Sequence, residues 1–75
     1  MKFIRTVEGD LINLELVGRI FLRENYNSRE VVAEFATGHL VVLAHFNEYN
    51  GYASVAERHM AAQDYLDELT EKLED

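Results

Sequence analysis

The chain has no cysteine, no proline and no tryptophan among its 75 residues. Without cysteine it can form neither a disulfide nor a thiolate metal site, and this absence fits a reducing compartment. Without proline, no residue interrupts a helix by removing a backbone N–H. No apolar run approaches the ~20 residues of a membrane span, and the N-terminal residues lack the apolar core of a signal peptide. We therefore expect a cytoplasmic protein that has no membrane partner.

Positive charge is also scarce. Seven Lys and Arg residues face fourteen Asp and Glu residues, for a net charge of −7, and residues 57–75 alone carry −5. Direct binding to nucleic acid needs clustered basic side chains that displace counterions from phosphates, and an anionic membrane has a similar requirement. We therefore expect no direct contact with nucleic acid. The acidic C-terminal region instead suits a protein partner with a basic surface.

The sequence lacks the patterns of catalytic and metal sites. It contains no Gly-rich phosphate loop and no Gly-x-Ser-x-Gly elbow. His39 and His45 lie six residues apart on one predicted strand, about 20 Å at ~3.3 Å per residue, which is too far to share a metal ion. The sequence therefore predicts no catalytic residue, no cofactor and no metal, and the protein is not expected to be an enzyme.

The alternation of apolar and polar residues predicts strands followed by one helix. Residues 2–7 form a first predicted strand, and 11–23 follow a turn. The second segment has two interpretations. It is either a strand bent at Gly18, or a short strand, one helical turn at 13–17 and a main strand from Arg19, which we favour. The predicted fold is a single α+β domain, 1–75, with an antiparallel three- to four-stranded β-meander and one long C-terminal helix on one face.

Residues 31–46 are predicted to form a β-hairpin with a two-residue turn, Thr37-Gly38. The cross-strand pairs that follow are Glu30 with His45, Val31 with Ala44, Val32 with Leu43, Ala33 with Val42, Glu34 with Val41 and Phe35 with Leu40. The centre of this hairpin is apolar on both faces, whereas a sheet with one face in water alternates apolar and polar residues. The helix covers only one face, so we expect the other face to be buried in a homodimer. The candidate interface residues are Phe21, Val32, Val41 and Leu43.

The C-terminal helix is predicted to begin after Ser54, because Ser54 and Glu57 match a capping box. Its predicted apolar stripe consists of Val55, His59, Ala62, Leu66, Leu69 and Leu73. Its acidic face supplies candidate partner-binding residues, which are Asp64, Asp67, Glu68 and Glu71. Like-charged residues four apart destabilise a helix slightly. This acidic face has two interpretations: it is either a solubilising surface or a mimic of the nucleic-acid backbone.

Three tyrosines lie in predicted loops among Asn, Ser and Gly residues. Tyr26 precedes the hairpin, and Tyr49 and Tyr52 precede the helix, so a meander places all three at one end of the sheet. This composition is typical of adaptable recognition surfaces, although tyrosines in such turns also pack over the edge of a core. All three are candidate partner-binding residues.

No motif in the chain is specific enough to identify a family. The predicted function is a non-catalytic, acidic protein-interaction module that forms a homodimer and binds another protein. The first alternative is an acidic inhibitor that mimics nucleic acid, of the kind found in phages and mobile elements. The second is a small ligand-binding domain or enzyme with its site between two subunits.

Overall fold

The computed structural model describes residues 2–25 and 27–74. Its strands and helix are β1 (Phe3–Arg5), β2 (Leu11–Asn13), β3 (Val17–Asn25), β4 (Ser28–Phe35), β5 (Leu40–Asn47) and α1 (Val55–Glu74). Two 3-10 turns, Leu14–Leu16 and Glu48–Asn50, lie before β3 and after β5. The strands form a β1–β2 sheet and a β3–β4–β5 sheet, both antiparallel, and α1 packs on β4 and β5. The predicted α+β fold, a β-meander followed by one long helix, is confirmed.

The segment around Gly18 has the short strand and helical turn of the second interpretation, but its main strand begins at Val17 and not at Arg19. The short strand β2 ends at Asn13, whose side-chain oxygen accepts a hydrogen bond of 3.0 Å from the Glu15 N–H and starts the 3-10 turn. The pairing of β3 with β4 then shifts between Val17 and Arg19. Gly18 is therefore the extra residue of a β-bulge, as an isolated glycine in a strand pattern predicts.

The turn between β4 and β5 is longer than predicted. The Phe35 N–H donates to the His39 carbonyl at 3.0 Å, the Gly38 N–H donates to the Phe35 carbonyl at 2.8 Å, and Gly38 has a φ of 90°. The loop thus has three residues, 36–38, and the predicted two-residue turn Thr37-Gly38 is wrong. A two-residue type I′ turn needs positive φ at both residues, which the β-branched Thr37 disfavours.

The longer loop moves the strand pairing by one residue beside the turn. The observed pairs there are Val32 with Val42, Ala33 with Val41 and Glu34 with Leu40. The predicted partners of these three residues are therefore wrong, and so is the predicted pair of Phe35 with Leu40. An extra residue in β5, at Leu43, then restores the predicted register. The pairs Val31 with Ala44 and Glu30 with His45 are confirmed, because the extra loop residue and the bulge cancel.

The core lies between α1 and the facing side of the β3–β4–β5 sheet. Val31 and Ala33 are fully buried there with Ala62 and Leu69 of α1. Leu43 belongs to the same cluster and Val41 packs against it. This corrects the prediction that Val41 and Leu43 lie on the opposite face, because the shifted register turns both side chains toward the helix.

The helix begins as predicted. The Ser54 hydroxyl accepts a bond of 3.1 Å from the Glu57 N–H and donates to the Glu57 carboxylate at 3.0 Å. The predicted apolar stripe is wrong at three positions, since Val55, His59 and Leu73 are exposed. The buried or half-buried side is formed by Arg58, Ala61, Ala62, Tyr65, Leu66 and Leu69. Arg58 takes the place expected for His59 because its Nη1 donates to the Tyr52 and Ala53 carbonyls at 3.0 Å each.

The two outer edges of the larger sheet differ. The β1–β2 hairpin lies beside β5, where the Val7 N–H donates to the Val42 carbonyl at 3.1 Å, and its Ile4 and Ile12 pack against the core. No backbone hydrogen bond among the described residues reaches the outer edge of β3. The nine-residue strand β3 is therefore a free edge.

Candidate protein-interaction site

A groove of about 470 Å³ separates α1 from β3. A helix is about 10 Å across and strands lie ~4.8 Å apart, so one helix covers about two strands and leaves the third uncovered. Because α1 packs on β4 and β5, the uncovered strand is β3. The apolar lining residues are Leu14, Val17, Ile20, Leu66, Leu69 and Leu73. The remaining lining residues are Gly18, Arg19, Gln63, Asp67 and Thr70.

The groove is exposed enough to admit a partner. Leu73, which the sequence placed in the core stripe, is 46% exposed, and Val17, Ile20 and Leu66 are half-buried. Leu14 and Leu69 are buried and join the groove to the core. The groove is thus the part of the helix layer that this chain does not fill.

The groove has an uncompensated negative charge. Arg19 bonds Glu34 (Nε to Oε1, 2.7 Å), and its guanidinium carbon lies 4.4 Å from the centre of the Phe21 ring. Asp67, on the opposite wall, has no ion pair within the described part of the chain. The charge of Arg19 is therefore balanced and that of Asp67 is not.

Three of the four predicted acidic residues follow one side of α1. Asp64, Asp67 and Glu71 are spaced i, i+3 and i+7, which places them on neighbouring turns of one helix side, and all three are exposed. Glu68, four residues after Asp64, lines a small cleft on the other side of α1 with Ile4 and Lys72. Of the three residues in the row, Asp67 lines the groove, whereas Asp64 and Glu71 lie on α1 outside its lining. The three form an acidic row on α1, and none of their carboxylates has an ion pair among residues 2–25 and 27–74.

The free edge of β3 runs beside the groove. Asn25 pairs with Ser28 across a two-residue loop, so this closing pair exchanges both of its hydrogen bonds. Antiparallel pairing then alternates, and the N–H and C=O groups of Ile20, Leu22 and Glu24 point away from β4. These outward groups are available to an extended segment of another chain.

The predicted tyrosine surface is only partly assembled. Ser28 pairs with Asn47, so the two loops do lie at one end of the sheet. Tyr49 is 90% exposed, whereas Tyr52 is half-buried and packs edge-on against Phe46, with ring centres 5.1 Å apart. Tyr26 lies outside the described residues. Tyr52 therefore has the core-edge role, and this end of the sheet lies far from the groove, which follows the C-terminal half of α1.

The sheet face turned away from α1, here called the second face, is smaller than predicted. Its central residues are Phe21, Val32 and Val42, and Val32 has 0% exposure in a single chain. The ion pairs Arg19–Glu34 and Arg23–Glu30, the latter at 3.0 Å, lie on either side of this row. Of the four predicted interface residues, only Phe21 and Val32 lie on this face.

Sequence reasoning missed an exposed apolar surface on the β1–β2 hairpin. Ile4 pairs with Ile12 and both pack inward, so Phe3 and Leu11 point outward, where they are 55% and 61% exposed. The sequence signal for this surface is a pair of consecutive apolar residues in each strand, Phe3-Ile4 and Leu11-Ile12. Successive side chains of a strand point to opposite faces, so one residue of each pair points outward.

A small polar pocket of about 140 Å³ lies between the β3–β4 loop and the start of α1. Arg29 and Arg58 line it together with Glu24, whose Oε2 is 3.6 Å from Arg29 Nη1. Arg29 Nε is buried there without a hydrogen-bond partner. The pocket contains side chains of both charges, and we assign no ligand to it.

No family model, curated protein or solved structure matches the chain. Within residues 2–25 and 27–74, no group of three or more His, Asp or Glu side chains is placed to hold a metal ion. No helix in this part of the chain is long and apolar enough to cross a membrane.

Proposed function

We propose that the protein is a non-catalytic interaction module that binds another protein in the groove between α1 and β3. One observation carries the proposal: an apolar groove, with Asp67 in its α1 wall and without an ion pair for Asp67 among the described residues, lies beside a free strand edge. Exposed apolar side chains rimmed by polar residues are typical of protein-interaction sites. A small ligand would remain open to solvent beyond β3, whereas ligand pockets enclose most of their ligand.

A site-specific cross-link tests this proposal, and the absence of cysteine makes it simple. Thr70 lines the groove, and its hydroxyl only donates to the Leu66 carbonyl, so Thr70→Cys should fold normally. A photoreactive maleimide attached there should cross-link one protein in extracts of the native host. The matched control is His59→Cys, which lies on an exposed part of the same helix outside the groove.

We expect the cross-linked product from Thr70→Cys and not from His59→Cys. The variant Leu73→Glu should abolish the product in the Thr70→Cys background, because a carboxylate would replace an apolar groove residue. Met60→Glu makes the same charge change at an exposed position of α1 outside the groove and should leave the product intact. Equal labelling from both cysteines would contradict the proposal.

We retain the homodimer as part of the proposal, with a different surface. The predicted patch has lost Val41 and Leu43 to the core. The exposed Phe3 and Leu11 of the β1–β2 hairpin replace it as the candidate self-association surface. A short Cys-free chain gains stability from a second subunit, which supports this part of the proposal.

The acidic row on α1 supports a second candidate, the acidic mimic of nucleic acid. Asp64, Asp67 and Glu71 are about 4.5 and 6 Å apart along the helix axis at ~1.5 Å per residue, and their charge is unpaired within the described residues. A mimic acts through charge, so Asp67→Asn with Glu71→Gln would abolish binding while Leu73→Glu would not. The opposite result favours the apolar groove.

A further inference from the structure

We infer that the partner segment is a basic amphipathic helix of about three turns, lying in the groove parallel or antiparallel to α1. This inference rests on the proposed function, since it names the kind of partner that the same groove accepts. It is supported by where the empty space lies, how long the space is and which charges surround it.

The empty space lies in the helix layer of the fold. Its floor is the helix-facing side of β3, at Val17 and Ile20, and its wall is α1, at Leu66 and Leu73. A second helix packed ~8–10 Å from α1 would lie over β3 and complete the layer. An extended segment added to the edge of β3 would lie in the sheet layer and would leave this space open.

The length of the groove suits a short helix. Its lining on α1 runs from Gln63 to Leu73, which spans about 15 Å at ~1.5 Å per residue. About three turns of a docked helix cover this length, with apolar side chains at positions i, i+3 or i+4, and i+7. These side chains would meet the floor residue Ile20 and the wall residues Leu66 and Leu73.

The surrounding charges favour a basic partner. Asp67, in the α1 wall of the groove, has no ion pair in the described part of the chain, and neither do Asp64 and Glu71 further round the same helix. Arg19 is already paired with Glu34. Lys or Arg residues on the partner helix would therefore meet the uncompensated carboxylate of Asp67 and would also be attracted by the negative charges of Asp64 and Glu71 on α1. A second copy of this chain does not fit, because its helix α1 is acidic and would be repelled.

Designed peptides test the inference directly. The probe is a helical peptide of about fourteen residues made of Leu and Lys, with Leu at i, i+3, i+4 and i+7 spacing. The comparison peptides are an alternating Leu-Lys sequence, which favours a strand, and the helical pattern with Glu in place of Lys. Fluorescence titration gives the Kd of each peptide, and NMR amide shifts show where it binds.

We expect the helical Leu-Lys peptide to bind most tightly and to shift the amides of Ile20, Gln63 and Thr70. Leu73→Glu should weaken this binding at least about tenfold, whereas Met60→Glu should change it by less than about twofold. Asp67→Asn should weaken it several-fold at ~0.1 M salt and much less at ~1 M, where the Debye length falls from ~10 to ~3 Å. Glu48→Gln, at the distant end of the sheet, is the control for Asp67→Asn.

Two peptide results would overturn the inference. Tighter binding of the alternating peptide, with shifts at the outward amides of Ile20, Leu22 and Glu24, would make the occupant a strand. Equal binding to the Leu73→Glu variant would show charge attraction without use of the groove.

The native partner separates this inference from the proposed function. The segment cross-linked to Thr70→Cys, identified by mass spectrometry, should combine basic residues with the helical apolar spacing. A cross-linked segment that is acidic or strand-patterned overturns the inference and leaves the proposed function intact. The absence of any groove-specific cross-link overturns the proposed function itself.

Discussion

At the scale of single residues, two side chains fix the ends of the segment between β5 and α1. The Asn47 side-chain oxygen accepts bonds from the N–H groups of Tyr49 and Asn50, at 2.9 and 3.1 Å, and starts the 3-10 turn. The Ser54 hydroxyl accepts from the Glu57 N–H and starts α1. Each oxygen satisfies backbone donors that have no partner within the helical segment.

Ser54→Ala should lower the free energy of unfolding by about 1 kcal/mol, because it removes the hydrogen-bond acceptor at the start of α1. Urea denaturation followed by circular dichroism measures the change. Ser54→Asp is the matched control, since a carboxylate also caps the helix and should preserve stability. A loss of stability with Asp equal to that with Ala would contradict this role of the Ser54 side chain.

Burial raises the pKa of the Tyr65 phenol above its ordinary value. Its ring lies 6.3 Å from that of Phe46, at the edge of the core. Since the folded state binds the phenolic proton more tightly than the unfolded state, stability should fall as the pH rises above about 10. Tyr65→Phe should remove that part of the pH dependence, measured by urea denaturation between about pH 8 and 11. If the free energy of unfolding of Tyr65→Phe falls with pH as steeply as that of the wild type, the Tyr65 phenol is not the cause.

At the scale of elements, the β4–β5 hairpin shows two irregularities that compensate for each other. The three-residue loop shifts the pairing by one position, and the extra residue at Leu43 shifts it back. As a result Leu43 faces the core, and the strand ends still align as a regular hairpin would align them. A bulge of this kind is a structural feature with a role in placing side chains.

Gly38→Ala should destabilise the protein by about 1 kcal/mol or more, because Gly38 has a φ of 90° and a Cβ disfavours that conformation. Gly18→Ala is the control. Gly18 has no positive φ, and a Cβ there would lie 3.5 Å from the Glu34 carbonyl oxygen, an ordinary contact. The Gly18→Ala variant should be as stable as the wild type or slightly more stable. Equal losses of stability in the two variants, measured by thermal denaturation, would contradict the requirement for glycine at position 38.

Local chemistry made several elements predictable from the sequence. The bulge at Gly18, the helical turn after Asn13 and the cap at Ser54 each depend on residues close in the chain. The loop length was also accessible, since Thr37 disfavours a type I′ turn. The compensating bulge at Leu43 was not, because it depends on tertiary packing against α1.

The groove was not predictable for a related reason. It depends on where α1 lies over the sheet and on its rotation about its own axis. Arg58 carries an apolar stem and a charged head, and periodicity counts it as polar although it is buried. Its bonds to the Tyr52 and Ala53 carbonyls orient the buried side of α1, which leaves Leu73 in the groove.

At the scale of the whole molecule, we expect self-association through the outer surface of the β1–β2 hairpin. Sedimentation at micromolar concentration should show a species near twice 8.7 kDa. Phe3→Glu should convert it to the monomer, because Phe3 and Leu11 are exposed apolar side chains on the same face of this hairpin. Met60→Glu should leave the dimer intact.

Val41→Glu and Leu43→Glu should unfold the chain instead, because both residues pack in the core.

A wild-type monomer at the same concentration would contradict the homodimer. It would leave the groove proposal unaffected, because the groove is formed within one chain.

Among the described residues, one backbone hydrogen bond, from Val7 to Val42, joins the β1–β2 hairpin to the larger sheet. Each of its strands has three residues, and an isolated two-stranded hairpin is marginally stable in water. The hairpin should therefore detach in a sub-global opening that costs less free energy than complete unfolding. Its amides should exchange with deuterium faster than those of β4, and each opening would briefly uncover the side of α1 that contacts Ile4.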